Sequence, residues 1–249
     1  MSADGLAGRV AIVTGALGKL GPVWSSALVD AGMVVVGIDV RPAPPDSPER
    51  IEQADVRDRE ALRRVLDLVV REHAAPSVLV NNAGIDFPPT PGGGGQEEAA
   101  FRETVDVNLV GVFNSTEVFG LAMRDAGRGS IVNIGSLYAS VAPDPSLYDH
   151  LEPPFVKPAA YGAAKAGVIG LTRYFARLWG PHGVRVNALS PGGVLAAQDD
   201  EFRRKFCARV PLGRMAETSD LVGPPLFLAS DASSYVNGQE LRVDGGFTA

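Results

Sequence analysis

Residues 14–21 decide the fold: Thr-Gly-Ala-Leu-Gly-Lys-Leu-Gly, three glycines placed between an apolar segment and an amphipathic one. The preceding residues 9–14 are short and apolar and predict a buried strand, whereas residues 20–31 predict a helix that ends at Gly32. A strand, a glycine-rich turn and a helix in this order are typical of the first unit of a parallel α/β sheet. Backbone N–H groups at such a turn can approach a pyrophosphate at the helix N-terminus.

The same alternation continues along the rest of the chain. Further strands are predicted at residues 33–39, 51–55, 77–81, 130–134, 184–189 and 240–244. Helices are predicted at residues 58–73, 97–126 and 160–179, the first with Asp58 as its N-cap. Apolar strands separated by helices predict a Rossmann-type, doubly wound α/β fold. We expect one domain, residues 1–249, with a mostly parallel seven-stranded sheet covered by helices on both faces.

Composition excludes several classes of protein. The net charge of −6 argues against binding to nucleic acid or to an anionic membrane. No secretory signal is visible at the N-terminus, and no apolar segment is long enough to span a membrane. The single cysteine, Cys207, cannot form an internal disulfide; we interpret it as a packing residue and expect a cytoplasmic protein. The three histidines, at 73, 150 and 182, are scattered and indicate no metal site.

Two further features point to chemistry. Tyr161 and Lys165 lie four residues apart on a predicted helix, so their side chains share one face. There the ammonium group can stabilise the phenolate and lower the tyrosine pKa from about 10, which would suit a general acid/base. Such a pair alone also fits a half-buried tyrosine beside a solvated lysine. Asp39, at the end of the second strand, could accept hydrogen bonds from a ribose and repel a 2′-phosphate.

More motifs follow in register: Asp55-Val56 after the third strand, residues 81–84 (Asn-Asn-Ala-Gly) after the fourth, then Asn108, Ser136 after the fifth, and Pro191-Gly192 after the sixth. With these motifs the chain resembles the short-chain dehydrogenase/reductase family along nearly its whole length.

The resemblance implies roles for individual residues. Tyr161 would be the general acid/base, Lys165 would bind the nicotinamide ribose and lower the tyrosine pKa, and Ser136 would hydrogen-bond the reacting oxygen. Asn108 would hold a water that links Lys165 to solvent, and the Val194 backbone would meet the nicotinamide carboxamide. The full cofactor-binding set implied by the resemblance is Gly15, Gly18, Lys19, Leu20, Gly21, Asp39, Asp55, Val56, Asn82, Ala83, Gly84, Tyr161, Lys165, Pro191, Gly192 and Val194.

The chain departs from the family pattern in its glycine turn. The family usually places the middle glycine one residue later, where this chain has Lys19, and here Gly18 takes that role. Lys19 could therefore approach a cofactor phosphate. Asp39 predicts NAD(H) as the preferred cofactor, and Lys19 leaves NADP(H) as the alternative.

The second departure is the 25-residue step from Ser136 to Tyr161, which is shorter in typical members. Both ends of the inserted segment, residues 137–160, are catalytic in the family, so it is a candidate substrate-binding lid; the alternative is a surface ornament. Tyr148, Asp149, His150 and Glu152 offer stacking and hydrogen bonds for a polyhydroxylated ligand. Lys157 would instead serve a carboxylated or phosphorylated one.

The sequence therefore predicts an oxidoreductase that interconverts a secondary alcohol and a ketone, with a sugar or polyol derivative as preferred substrate. A 3-oxoacyl-thioester reductase shares these motifs, and a non-catalytic NAD-binding sensor or scaffold is the alternative from another class. We also expect a homotetramer or homodimer. Small residues in the Tyr161 helix would allow close helix approach, and an apolar C-terminal end at Phe247 would contribute.

Overall fold

Seven parallel strands form one sheet in the computed structural model, in the order β3-β2-β1-β4-β5-β6-β7. The structure describes residues 5–45, 47, 50–87, 96–152 and 157–249. The strands are β1 (Val10–Thr14), β2 (Val34–Asp39), β3 (Arg50–Gln53), β4 (Val78–Asn81), β5 (Gly129–Ile134), β6 (Val184–Pro191) and β7 (Glu240–Val243). Each neighbouring pair is parallel. The predicted doubly wound α/β fold is confirmed.

Helices cover both faces of this sheet. They are α1 (Gly21–Asp30), α2 (Arg59–Glu72), α3 (Glu98–Val105), α4 (Gly111–Asp125), α5 (Ala159–Trp179), α6 (Asp200–Cys207) and α7 (Gly223–Ala229). Alternate residues of each strand point to opposite faces. Val10 and Ile12 of β1 accordingly share a core with α2, α4 and α5, while Ala11 and Val13 share one with α1 and α7. No helix in the described parts of the chain has the length and apolar character needed to cross a membrane.

Capping residues and glycines in the sequence correctly predicted the ends of some helices. Asp58 caps α2 as predicted, because its side chain accepts hydrogen bonds from the backbone N–H groups of Glu60 and Ala61. Gly32 follows α1 with a φ of +83°, a conformation that favours glycine. The observed end of a strand differs from the predicted end where pairing with a neighbouring strand determines it. β6 runs two residues past its predicted end because Pro191 still lies opposite Val243 of β7.

The helical region predicted at residues 97–126 is divided into α3 and α4 by a π-helical turn, Asp106–Val110. Asn108 lies in this turn and is fully buried. Its Oδ1 accepts a hydrogen bond from the Ile85 N–H, and its Nδ2 donates to the Ile85 carbonyl, both at 2.8 Å. The turn thus directs Asn108 at the backbone that follows β4, in keeping with the tendency of π-turns to occur at functional sites.

Candidate active site

A cleft of about 1080 Å³ lies at the carboxyl ends of the strands and extends from Asp39 to Tyr161. In open parallel sheets this edge is where ligands bind. Most of the predicted site residues line it: Gly15, Gly18, Lys19, Leu20, Asp39, Asp55, Val56, Asn82, Ala83, Gly84, Ser136, Tyr161, Lys165, Pro191, Gly192 and Val194. Gly21 and Asn108 are not among the described residues of its lining.

The glycine turn is held from behind by the segment after β4. Asn82 Nδ2 donates hydrogen bonds to the carbonyls of Thr14 (3.0 Å) and Gly15 (2.8 Å). Gly15 has a φ of +64°, and a Cβ there would lie 2.8 Å from the Ala83 Cα, so the approach requires glycine. A Cβ on Gly21 would lie 2.3 Å from the Gly15 carbonyl oxygen. Gly21 therefore permits close packing beneath the turn and does not face the cleft.

Asp39 lies at the far end of the cleft and is buried. Its carboxylate accepts hydrogen bonds from the Leu17 N–H at 3.0 Å and from the N–H and guanidinium of Arg41 at 3.0–3.2 Å. Burial raises the pKa of Asp39, but these hydrogen bonds outweigh it and hold the pKa below its ordinary value. Asp39 is thus ionised, with Arg41 folded against it.

Lys19 crosses the middle of the cleft. Its Nζ donates to the Val194 carbonyl at 3.1 Å, and burial lowers its pKa. The same carbonyl accepts a second hydrogen bond from Gln198 Nε2 at 3.0 Å. The carbonyl oxygen of Val194, whose backbone was predicted to meet a carboxamide, therefore already accepts two hydrogen bonds, and the lysine predicted to approach a phosphate is bonded to protein.

Asp55 and Val56 follow β3 and form another part of the lining. The Asp55 carboxylate pairs with the Arg57 guanidinium at 2.6 Å, and hydrogen bonds from Arg57 hold its pKa below the ordinary value. On the opposite side, Gly192 lies so close to β7 that a Cβ would be 2.7 Å from the Asp244 Cα. This glycine lets the segment after β6 turn across the sheet edge.

The three residues predicted to react with the substrate converge at the other end. Lys165 is buried, and its Nζ donates to the Ile134 carbonyl at 2.7 Å and lies 5.8 Å from the centroid of the Tyr161 ring. Ser136 follows β5, and its Oγ accepts a hydrogen bond from the Tyr138 N–H at 3.2 Å. The Ser136 side chain is also hydrogen-bonded to Tyr161.

The expected fall in the tyrosine pKa is wrong for this structure. Burial, and after it the nearby Asp86 carboxylate, raise the pKa of Tyr161 to about 12, although hydrogen bonding with Ser136 acts to lower it. Burial also lowers the pKa of Lys165 to about 8. The helix spacing puts both groups on one face, where Tyr161 is half-buried and Lys165 is buried, so both lose contact with water, and Lys165 bonds to a strand carbonyl.

The inserted segment packs onto α6. It contains two short 3₁₀ turns, Leu137–Ala139 and Pro145–Leu147, and Leu147 is fully buried among Phe206, Val210 and Met215. Three ion pairs attach it to α6 and its ends. They join Asp144 to Arg209 (2.7 Å), His150 to Asp199 (2.9 Å) and Asp149 to Lys205. Residues 153–156 of the segment lie outside the described residues.

Several lining residues were not predicted. Phe202, Phe206 and Met215 come from α6 and the segment after it; the residues around Cys207 were interpreted as helix-like, but no role in the site was predicted for them. Cys207 packs at the edge of this same small core, as its predicted packing role requires. Asp86 also lines the cleft. Its position two residues after the Asn-Asn-Ala-Gly motif was the signal that could have identified it.

Comparison with known proteins agrees with this geometry. Residues 26–248 match the family model described as enoyl-(acyl carrier protein) reductase. The cis-4-hydroxycyclohexanecarboxylate dehydrogenase of Sinomonas cyclohexanicum is 34% identical over 99% of both chains. The D-threitol dehydrogenase of Mycolicibacterium smegmatis is 32% identical over 98% of this chain and 94% of its own.

Solved structures are similarly close. A short-chain dehydrogenase from Leptospira borgpetersenii with bound NAD⁺ superposes with a TM-score of 0.90 at 32% identity, covering 99% of this chain and 95% of its own. A gluconate 5-dehydrogenase from Burkholderia cenocepacia in complex with NADP and tartrate has a TM-score of 0.86 at 29% identity, covering 100% and 99%. Fold, site geometry and relatives together show that the chain belongs to the short-chain dehydrogenase/reductase family of oxidoreductases.

Proposed function

We propose that the protein is an NAD(P)-dependent oxidoreductase that interconverts a secondary alcohol and a ketone, with a sugar or polyol derivative as its substrate. The convergence of Ser136, Tyr161 and Lys165 at one end of a cleft, with the glycine turn and Asp39 at the other, carries this proposal. The D-threitol dehydrogenase, which is named for a polyol, supports the substrate class, and the cis-4-hydroxycyclohexanecarboxylate dehydrogenase, which is named for a hydroxy acid, supports only the oxidation of a secondary alcohol.

The residues present fit a dinucleotide. Gly15 and Gly18 line the cleft at the turn where a pyrophosphate would lie, Asp39 offers an ionised carboxylate for a ribose, and the cleft of about 1080 Å³ joins the two ends. When bound, a nicotinamide cofactor supplies the acceptor or donor of the hydride. The protein's part is to orient the substrate and move its proton.

The substrate end provides that proton transfer. The Tyr161 phenolate would take the proton of the alcohol during oxidation, and the Tyr161 hydroxyl would give its proton to the ketone oxygen during reduction. Ser136, already bonded to Tyr161, would donate to the same oxygen where negative charge develops. Lys165 would supply positive charge behind the phenol. Its lowered pKa of about 8 means that most of this charge is present at neutral pH and is lost above pH 8. Asn108 would act indirectly, by fixing the backbone at Ile85.

NAD(H) is the proposed cofactor, because a buried, ionised Asp39 would lie close to any 2′-phosphate. One observation favours NADP(H): the Arg41 side chain beside Asp39 is 57% exposed and carries a cation that could turn toward a phosphate. Lys19 would serve either cofactor through its pyrophosphate, after leaving the Val194 carbonyl.

A homotetramer or homodimer is proposed from the outer face of α5. Ala163, Ala166, Gly170 and Tyr174 recur along that face and are exposed. Gly167 instead accommodates Leu109, and Phe247 stacks on Phe206 within the subunit at 5.0 Å, so these two do not support the interface. Light scattering should give at least twice the 26.1 kDa chain mass.

A cytoplasmic location is proposed from the single cysteine and the acidic composition.

The proposed activity is tested by turnover of secondary alcohols and ketones, with NAD⁺/NADH and NADP⁺/NADPH, and with 3-oxoacyl thioesters in the same panel. We expect turnover of neutral polyols or their ketones. Binding of the cofactor without turnover of any panel member would favour the non-catalytic sensor. A preference for acyl thioesters would favour the reductase alternative.

A further inference from the structure

Asp86 and Lys157 stand outside the proposed catalytic set, yet both line the cleft beside Tyr161. Asp86 comes two residues after Gly84 on the segment that follows β4, and Lys157 comes two residues before α5. They form an ion pair, although 71 residues separate them in sequence. Lys157 Nζ lies 5.3 Å from the centroid of the Tyr161 ring. Groups attached next to a carbon that reacts at Tyr161 would therefore meet this pair.

The two side chains have opposite hydrogen-bonding capacity. An ionised carboxylate only accepts, and an ammonium group only donates. A hydroxyl group does both, so one hydroxyl can accept from Lys157 and donate to Asp86. The half-buried Tyr138 and Tyr148, which are hydrogen-bonded to each other, add further hydroxyls to the same end of the cleft. This donor and acceptor set is suited to a ligand with several hydroxyl groups.

The balance of charge favours an uncharged ligand. The charged lining residues described at this end are Asp86, Lys157, Lys165 and Asp199, two of each sign. A substrate carboxylate that bound Lys157 would displace Asp86, whose side chain is only 33% exposed, and leave it without its counter-ion near Tyr161. A hydroxyl group could bind between the two charges and leave both paired.

The charge of Asp86 also reaches the reacting residues. After burial, the Asp86 carboxylate is the next cause that raises the pKa of Tyr161, and it also raises the pKa of Lys165 against the larger lowering by burial. These effects require the carboxylate to lie close to both side chains, as its place in the cleft indicates.

We infer that the Asp86–Lys157 pair binds a hydroxyl group on a carbon adjacent to the reacting carbon, and that the substrate is a neutral polyhydroxylated compound. The inference rests on the proposed function and assigns the substrate class of the same site. It makes Asp86 and Lys157 residues that determine specificity and gives them no part in the transfer of the proton or hydride.

The test compares Asp86→Asn and Lys157→Met with the wild type on three kinds of probe. The first is the best substrate among D-threitol, galactitol and glycerol; the second is 2-butanol, which lacks the neighbouring hydroxyl; the third is cis-4-hydroxycyclohexanecarboxylate, which carries a negative charge. Glu60→Gln and Arg63→Met are matched controls, because they break an exposed ion pair on α2. NADH affinity and unfolding temperature report whether each variant remains folded.

We expect either cleft variant to lower kcat/KM for the polyol by about 10- to 100-fold more than for 2-butanol, whose own loss measures the effect of the changed charge on Tyr161 and Lys165. The double variant should be little worse than either single variant, because both act on one hydroxyl. The α2 controls should match the wild type on every probe.

Two results would overturn the inference while leaving the oxidoreductase function intact. One is an equal loss on polyol and 2-butanol, which would indicate a structural role for the pair. The other is a wild-type preference for the carboxylate that Lys157→Met abolishes, which would assign Lys157 to an anionic substrate. Failure of the wild type to turn over any alcohol with either cofactor would overturn the proposed function as well.

Discussion

The two halves of the cleft are built in different ways. The cofactor half consists of strand ends and short motifs joined through backbone atoms, as where Asn82 holds the carbonyls of Thr14 and Gly15. The substrate half consists of the inserted segment and α6, joined by ion pairs between residues 49–65 positions apart in sequence. This difference implies that substitutions in the substrate half should change substrate use while cofactor binding is kept.

The largest expected effect is that of Tyr161→Phe, at the junction of the two halves. The phenol is needed when the proton moves, so kcat should fall by about 10²- to 10⁴-fold while NADH affinity stays within about twofold. Tyr235→Phe is the control, because Tyr235 is a fully exposed tyrosine with no part in the cleft. Steady-state kinetics and NADH titration measure both quantities. If a folded variant kept more than a tenth of wild-type kcat, Tyr161 would not be the general acid/base.

Leu147→Ala tests the independence of the substrate half. Leu147 is fully buried between the inserted segment and α6, and such a truncation removes about 2–5 kcal/mol of packing. We expect KM for the substrate to rise about tenfold or more, with NADH affinity within about threefold. Leu212→Ala, at a 70% exposed leucine nearby, should change neither value. If KM stays at the wild-type value, the segment is not a substrate-binding lid.

Asp39→Ala tests which group in the cofactor half sets the preference between NAD(H) and NADP(H). Removal of the carboxylate should relieve repulsion of a 2′-phosphate and free Arg41 to meet it, so the ratio of NADPH to NADH affinity should rise about 5- to 50-fold. Arg41→Ala should lower NADPH affinity and leave NADH affinity nearly unchanged. Fluorescence titration with both cofactors gives the ratio. An unchanged ratio in Asp39→Ala would show that other groups decide the preference.

The smallest expected effect is on stability, through Lys165. Its pKa in the folded protein is about 8 instead of the ordinary 10.5, so between these values the unfolded chain binds more protons and wild-type stability rises with pH. Lys165→Met lacks this titration. The difference in the free energy of unfolding, wild type minus variant, should therefore increase by up to about 3 kcal/mol from pH 8 to pH 10.5. Urea unfolding at pH 7.5 and pH 10 measures it, and an equal gap at both pH values would contradict the assignment.

The sequence predicted what local patterns encode. The glycine turn and the cap at Asp58 were found because each depends on neighbouring residues, whereas the end of β6 was not, because its pairing with β7 determines it. The pKa of Tyr161 was not, because its value depends on burial beneath distant segments and on Asp86. Lys19 was correctly identified as unusual, but its partner, the Val194 carbonyl, lies 175 residues away. The residues around Cys207 were interpreted as helix-like, but the sequence did not show that α6 lines the substrate end, because its contacts there are with the inserted segment.

The π-turn at Asp106–Val110 bears on how the chain tolerates changes in length. Each residue of an α-helix rotates the chain by about 100°. Deletion of one residue from this π-turn would therefore rotate α3 by that angle relative to α4. Both helices are held by other elements, α3 by α5, and α4 by α2 and the sheet. Exposed side chains of the turn, such as Val110, could still be exchanged without such a rotation. In this turn a change in the number of residues should therefore disturb the packing more than a change of side chain. The hydrogen bonds between Asn108 and the Ile85 backbone depend on that number of residues.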